Sequence, residues 1–415
     1  MDAVYDLPDY CATVSPDGRI ARAERQLAAL AAHEDTVRAF VCHDADAARR
    51  ACVAGADGPL SGALIGVKDI IATETFPTRY GLADFEPSGP CHDAWCVGRA
   101  RRLGGVLLGK TVCTAFAYPR PGPTTNPHDA RRSPGGSSSG SAAAVAAGFV
   151  SFAFGTQTAG STIRPASYCG VVGFKPSFGL LPTEGIEAIS TTLDHVGVFS
   201  ESPRDAWYLV SAMVLPRAEV LSACRPVRVL VPRLPAELVL GDGYPERLAA
   251  LVAALREDDI AVETVELPIQ AADFLGLQQE ICYWEAARLL LASGRMWLLP
   301  ELVALLGPYP DSDMKRYAAA RRRRQICQAA FDALAAEYDA VLLPAATGAA
   351  PPVTNTGDAV MNRFWTALHV PALNVPFWRN DEGLPLGLQL IGPLGADRAL
   401  VEVAQWFHLR HDRAR

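Results

Sequence analysis

Three short segments of this 415-residue chain set polar side chains against an apolar or small background, and each has a chemistry. Lys68 closes the run ALIGVK, so its ammonium is expected at the end of a buried strand. Burial disfavours the charged form of an amine and lowers its pKa, which turns a lysine into a base near neutral pH. The segment SPGGSSSGS at 133–141 holds several hydroxyls, Ser137 among them, just ahead of a helix start, with glycines that permit unusual backbone angles. The third segment, GTQTAGSTIRPASYCG at 155–170, is a turn of small residues that contains Ser161. Small side chains leave successive backbone N–H groups bare, and such groups can hold a developing oxyanion. Each segment alone has a bland reading as well: a snorkelling or ion-paired lysine, or a flexible Gly/Ser loop.

Positioning these groups requires strands that end at one place. GALIGVKDII (62–71) and GGVLLGKTV (104–112) are rich in β-formers, with a helical stretch around Trp95 to Leu103 between them. The Pro/Gly/Ser/Thr/Asn-rich stretch 118–141 leads into the Ala-rich helix SAAAVAAG and then the strand-like FVSFAFG (149–155). Residues 17–56 have helical spacing, with Leu27, Leu30, Val37 and Val41 on one face. Further βα-like units follow in VRVLVP (227–232), 245–257, VETVELP (262–268), helical patterns over 275–340, AVLLPA (340–345) and LPLGLQLIG (384–392). Alternation of this kind gives an α/β protein whose sheet is covered by helices.

Half of the residues are apolar, a fifth are charged and the net charge is −7, which excludes disorder, collagen and coiled coil. An acidic chain has no global positive field for nucleic acid or anionic lipid, so the expected partners are small molecules or protein. Ten cysteines without a CxxC pair read as reduced thiols of a cytoplasmic protein. The start MDAVYDLPDY is acidic where a signal peptide is basic, and the chain has no membrane-length apolar run. Histidines and cysteines lack zinc spacing and no dinucleotide or Walker glycine fingerprint occurs, so no metal and no cofactor are expected. Only four lysines occur, at 68, 110, 175 and 315, which makes each worth following.

Taken in order, GVKD, GGSSSGSAAAVAAG and GTQTAGS followed by RPASYCGVVGFKPS resemble the amidase signature family, with 69 residues from Lys68 to Ser137 and 24 more to Ser161. The similarity runs from about residue 20 to 400 and weakens over 215–340. It implies a single domain over 1–415 with a large mixed central β-sheet flanked by helices on both faces. Core motifs lie at 60–200, a helical substrate-pocket section at 215–340 and a closing core segment at 341–410. It also implies that Ser161 is the nucleophile, Ser137 the bridging serine on a cis peptide bond and neutral Lys68 the base. The N–H groups of Thr158, Ala159, Gly160 and Ser161 would form the oxyanion hole, and the default assembly is a homodimer. The order Ser161, Thr162, Ile163, Arg164, with GTQT and the TGD…NRFWT tail, resembles the malonamidase branch. There Arg164 would bind a substrate carboxylate, as in malonamate; the structural alternative is an ion pair with a carboxylate such as Asp194.

Other outcomes stay open at this level. A ureido or carboxybiuret-type amidase, or an acyltransferase, would use the same groups on another substrate. Resemblance to the A-type component of tRNA-dependent amidotransferases would make the chain one member of an ammonia-generating complex. Gly136 to Gly140 also matches GxSxG, which nominates Ser138, but HDARRSP before it is no strand. Ala159 replaces a glycine and would be strained at positive φ. Arg321 to Arg324 read as a solvated or acid-paired helix face, and Cys169 as packing.

Overall fold

The computed structural model describes residues 16–82, 84–86, 91–118, 120–292, 299–309 and 314–412. The acidic start and Cys11, and residues 293–298 and 310–313 of the expected helical section, lie outside the described residues. The strands are β1 (Phe40–His43), β2 (Leu64–Lys68), β3 (Val106–Thr111), β4 (Phe152–Gln157), β5 (Val172–Lys175), β6 (His195–Ser200), β7 (Arg228–Arg233), β8 (Ala261–Glu266), β9 (Ala340–Pro344), β10 (Ala372–Arg379) and β11 (Pro385–Ile391). The helices are α1 (Pro16–Val37), α2 (Ala45–Ala54), α3 (Trp95–Arg102), α4 (Ser139–Ala146), α5 (Ile163–Cys169), α6 (Pro203–Val214), α7 (Tyr244–Glu257), α8 (Ala271–Ala292), α9 (Pro300–Leu306), α10 (Met314–Ala335), α11 (Val360–Ala367) and α12 (Asp397–Asp412).

All eleven strands join one mixed sheet in the order β1-β3-β2-β4-β6-β5-β10-β11-β9-β7-β8. The central strands read as unbroken apolar runs because both faces are covered. Side chains still alternate. Ile65, Val67, Phe152 and Phe154 face a layer built from α3, α6, α7 and α12, whereas Leu64 and Ala153 face α1, α2 and α4. Farther along, Val341 and Leu343 of β9 face α8, α10 and α11. Helices therefore cover both faces, as the family resemblance implies.

Two expectations change. Leu27, Leu30 and Val37 are buried on α1, but Val41 belongs to β1, a four-residue edge strand paired antiparallel with β3. So short a strand carries too few residues to break the helical spacing around it. The section 215–340 is also not purely helical: its β7 and β8 extend the common sheet, and its helices lie beside it. Strands β3, β2 and β4 are mutually parallel, so their carboxyl ends open on one side. In open α/β sheets that edge is where ligands bind.

Candidate active site

Lys68 is the last residue of β2 and is fully buried. Its Nζ donates to Ser137 Oγ at 2.7 Å and to Thr156 Oγ1 of β4 at 2.6 Å. Among the described residues no carboxylate pairs with it. Lys110, one strand away, shows the contrast: its ammonium lies 3.8 Å from the buried Asp69 carboxylate. Burial pushes Lys68 down to about 8, partly opposed by neighbouring Cys113 and Asp194. An amine among hydroxyls in a dry site therefore gives up its proton near neutrality.

The Gly/Ser segment is built, not loose. The Gly136–Ser137 peptide bond is cis, as expected from the resemblance. Both carbonyls flanking Ser137 are held: Arg164 Nη2 donates to Gly136 O at 2.6 Å, and the Thr114 N–H donates to Ser137 O at 3.1 Å. Helix α4 then packs directly on the strands. The Gly140 N–H donates to Val112 O, and a Cβ there would lie 2.1 Å from Ala39 O, so only glycine fits. Ser138 Oγ is fully buried and bonded to both backbone groups of Thr156, which removes it as a nucleophile.

Ser161 sits in the turn between β4 and α5 and lines a cavity of about 420 Å³ together with Thr158, Ala159 and Arg164. The structure joins Lys68 to Ser137. Among the described residues no hydrogen bond joins Ser137 to Ser161, which lines the cavity. Catalytic hydrogen bonds outside the reacting complex are often long or poorly aligned, so the missing bond does not by itself exclude a Ser137–Ser161 pair. Ala159 adopts an ordinary negative φ, so the expected strain is absent. Gly160 is needed for another reason: a Cβ there would lie 2.6 Å from Asn362 Oδ1 on α11.

The turn at 158–161 is pinned from four sides, mostly by residues that sequence reasoning missed. Gln157 Oε1 accepts the N–H groups of Thr162 and Ile163, at 2.8 and 3.0 Å. Thr366 Oγ1 donates to Ala159 O at 2.7 Å, and Gln278 Nε2 of α8 donates to Thr158 O at 2.8 Å. The Thr158 hydroxyl donates to Asp194, whose carboxylate also accepts the N–H groups of Ile189 and Ser190. Burial pushes Asp194 up to about 6. The carbonyls of Thr158, Ala159 and Gly160 are thus all engaged, the last by the Arg164 N–H. Gln157 was legible as a polar residue in a small-residue turn; Gln278 and Thr366 carry no local signal, because only the fold brings them within reach.

Arg164 does not pair with Asp194, since Asp194 is committed to Thr158 and two backbone N–H groups. Arg164 is 5% exposed, its Nε has no partner and among the described residues it forms no ion pair, although the Asp358 carboxylate lies close enough to favour its charge. Cys169 packs beneath the loop against Pro134 O, and the described cysteines are free thiols. Arg323 of the basic run pairs with Asp273 and Glu280, which ties α10 to α8. Among the described residues no helix is long and apolar enough to cross a membrane.

The Amidase family model matches residues 19–289 and 301–401. The A-type component of glutamyl-tRNA(Gln) amidotransferase from Halobacterium salinarum is 31% identical over 84% of this chain and 95% of its own length. That of Synechococcus sp. (strain WH7803) is 32% identical over 89% and 88%. A crystal structure of an amidase superposes with a TM-score of 0.86 at 29% identity over 98% of each chain. The peptide amidase of Stenotrophomonas maltophilia does so with 0.81 at 28% identity, over 99% of this chain and 97% of that one. A lysine, a cis-linked serine and a turn serine gathered at the strand ends, on a chain matched over most of its length, place this protein in the Amidase family of enzymes that act on C–N amide bonds.

Proposed function

We propose that the protein hydrolyses a small carboxamide through an acyl-Ser161 intermediate, with neutral Lys68 as base acting through the Ser137 hydroxyl. The observation that carries this reading is a fully buried lysine bonded only to hydroxyls, one of them Ser137, beside the cavity that Ser161 lines. Ser161 Oγ bonds to the carbonyl carbon as its proton passes to Ser137 and the Ser137 proton to Lys68. The oxyanion is received by the N–H groups of Thr158, Ala159, Gly160 and Ser161, each important donor contributing about 3–4 kcal/mol in comparable hydrolases. Lys68 then returns the proton, the C–N bond breaks and ammonia or an amine leaves. Water adds to the acyl carbon by the same path, releasing the acid and restoring Ser161.

Because only neutral Lys68 can accept the proton, kcat/KM for a neutral amide is expected to rise with pH as one group titrates at about 8. Below that pH it falls tenfold per unit. A profile flat between about pH 6 and 9 would contradict Lys68 as the base.

Arg164 is proposed to bind an anionic group next to the scissile amide, malonamate being a compact example. Arg164→Leu should lower kcat/KM for malonamate or succinamate about 10²-fold more than for acetamide, since a buried charge pair is lost only with the acids. Equal losses would assign Arg164 solely to holding Gly136 O. A second reading is favoured by the relatives' names: an ammonia-generating component of an amidotransferase complex. It requires glutaminase activity and a partner protein, so ammonia release from L-glutamine and co-purification of a second chain are its measurements. Product analysis with added amines separates hydrolysis from acyl transfer, and a ureido panel tests carboxybiuret-type substrates.

A further inference from the structure

The cavity is not chemically uniform, and its asymmetry selects among amides. On α8 the residues Gln278, Cys282, Ala286 and Leu290 recur every four positions and all line the cavity, so they form one stripe along the helix. Twelve residues of helix give the stripe a length of roughly 18 Å. Its first member donates to Thr158 O beside Ser161; its last is an isobutyl group, 1% exposed. Polarity falls along this stripe from amide to thiol to methyl to branched alkyl; the other α8 residues of the lining, Gln279 and Tyr283, lie toward its polar half, where the Gln279 amide donates to the Tyr283 hydroxyl.

Helix α9 faces it with Leu302, Leu305 and Leu306, spaced by three and four residues on one side of the helix. Leu302 and Leu306 are 4% and 1% exposed. The charged cavity residues are Arg164, next to Ser161, and Arg363 with Asp358, which pair with each other. Neither α8 nor α9 adds a charged group to the lining. Malonamate would occupy only the end near Ser161 and Arg164, while a volume of about 420 Å³ falls in the range of sites for much larger ligands.

We propose that the α8–α9 arm takes an apolar body, a medium-length alkyl or an aryl-alkyl chain, carried by the acyl part of the substrate amide. The proposal rests on the amide-hydrolysis reading for what the site does with its ligand, not for whether the ligand binds. It also disfavours L-glutamine, whose ammonium and carboxylate would meet isobutyl side chains in the arm.

The test separates binding from turnover. Full-length Ser161→Ala protein is titrated calorimetrically with butanamide, hexanamide, octanamide and 4-phenylbutanamide, and with L-glutamine. The dissociation constant is expected to fall about fourfold per added methylene until the arm is filled. Two further variants in the Ser161→Ala background read the same arm in opposite senses. Ala286→Leu should weaken octanamide relative to butanamide at least tenfold. Leu290→Ala should move the tightest ligand to a longer chain, which keeps the proposal open to refutation if Ala286→Leu does not fold. Equal affinity along the series, or L-glutamine binding more tightly than octanamide, would overturn the proposal. Hydrolysis of the same amides by the native enzyme is measured separately. Tight, length-dependent binding without Ser161-dependent turnover would sink the hydrolase reading while leaving the arm intact.

Discussion

Ser161→Ala is expected to lower kcat for amide hydrolysis by about 10⁶-fold, the scale on which loss of a serine nucleophile acts in other serine hydrolases. The expectation follows from geometry. Ser161 lies in the turn between β4 and α5 and lines the cavity without a described hydrogen bond to its hydroxyl, whereas the Thr158 hydroxyl is committed to Asp194 and Ser138 is fully buried with its oxygen on the Thr156 backbone. Because no described hydrogen bond from the Ser161 hydroxyl supports the scaffold, its removal should leave the fold untouched. Steady-state kinetics on one amide, with circular dichroism and the thermal midpoint as controls, checks both halves. A loss below about tenfold with an intact fold would reassign the nucleophile.

Lys68→Met should be nearly as severe, about 10⁴–10⁶-fold in kcat, since without the amine nothing draws the proton through Ser137. The substitution keeps an unbranched chain in a fully buried site and removes a group whose charged form burial already disfavours. The hydroxyls of Ser137 and Thr156 lose a donor, at a cost of about 1–3 kcal/mol each at most. Folding should therefore survive. The decisive feature is non-additivity: residues that act in one step fail together, so Lys68→Met combined with Ser161→Ala should be no slower than the worse single variant. Multiplying losses would place Lys68 outside the proton path.

Much of the site was legible because its parts are local. A lysine after five apolar residues, a Gly/Ser run before an Ala-rich helix and a turn of small residues after a strand each break the pattern around them, and the fold brings these segments to one edge. Long-range partners were not legible. Arg164 could be read as cationic and close to the nucleophile, but its bond to Gly136 O depends on the 133–138 loop crossing above α5. Asp194 was suggested as a partner for Arg164 and instead holds Thr158, because the chain from Ile189 to Asp194 folds back on its own N–H groups. Ala159 was expected to be strained by analogy with glycine, yet the tight contact falls one residue later, where Gly160 meets Asn362 from a helix two hundred positions away. The sheet order had the same character: β5, β6 and β10 are short or flank loops, and their antiparallel pairing is fixed only by the whole sheet.

The covalent step is the claim on which the rest depends, and it can be observed directly. The enzyme is mixed with an activated acyl donor that deacylates slowly, quenched in acid and analysed by mass spectrometry, with fragmentation that separates Ser161 from Ser137, Ser138 and Ser139. One acyl group per chain is expected, carried by Ser161, absent in Ser161→Ala and formed far more slowly in Lys68→Met. An acyl group on any of the three loop serines, or full turnover with no acylated protein trapped at any time, would contradict it.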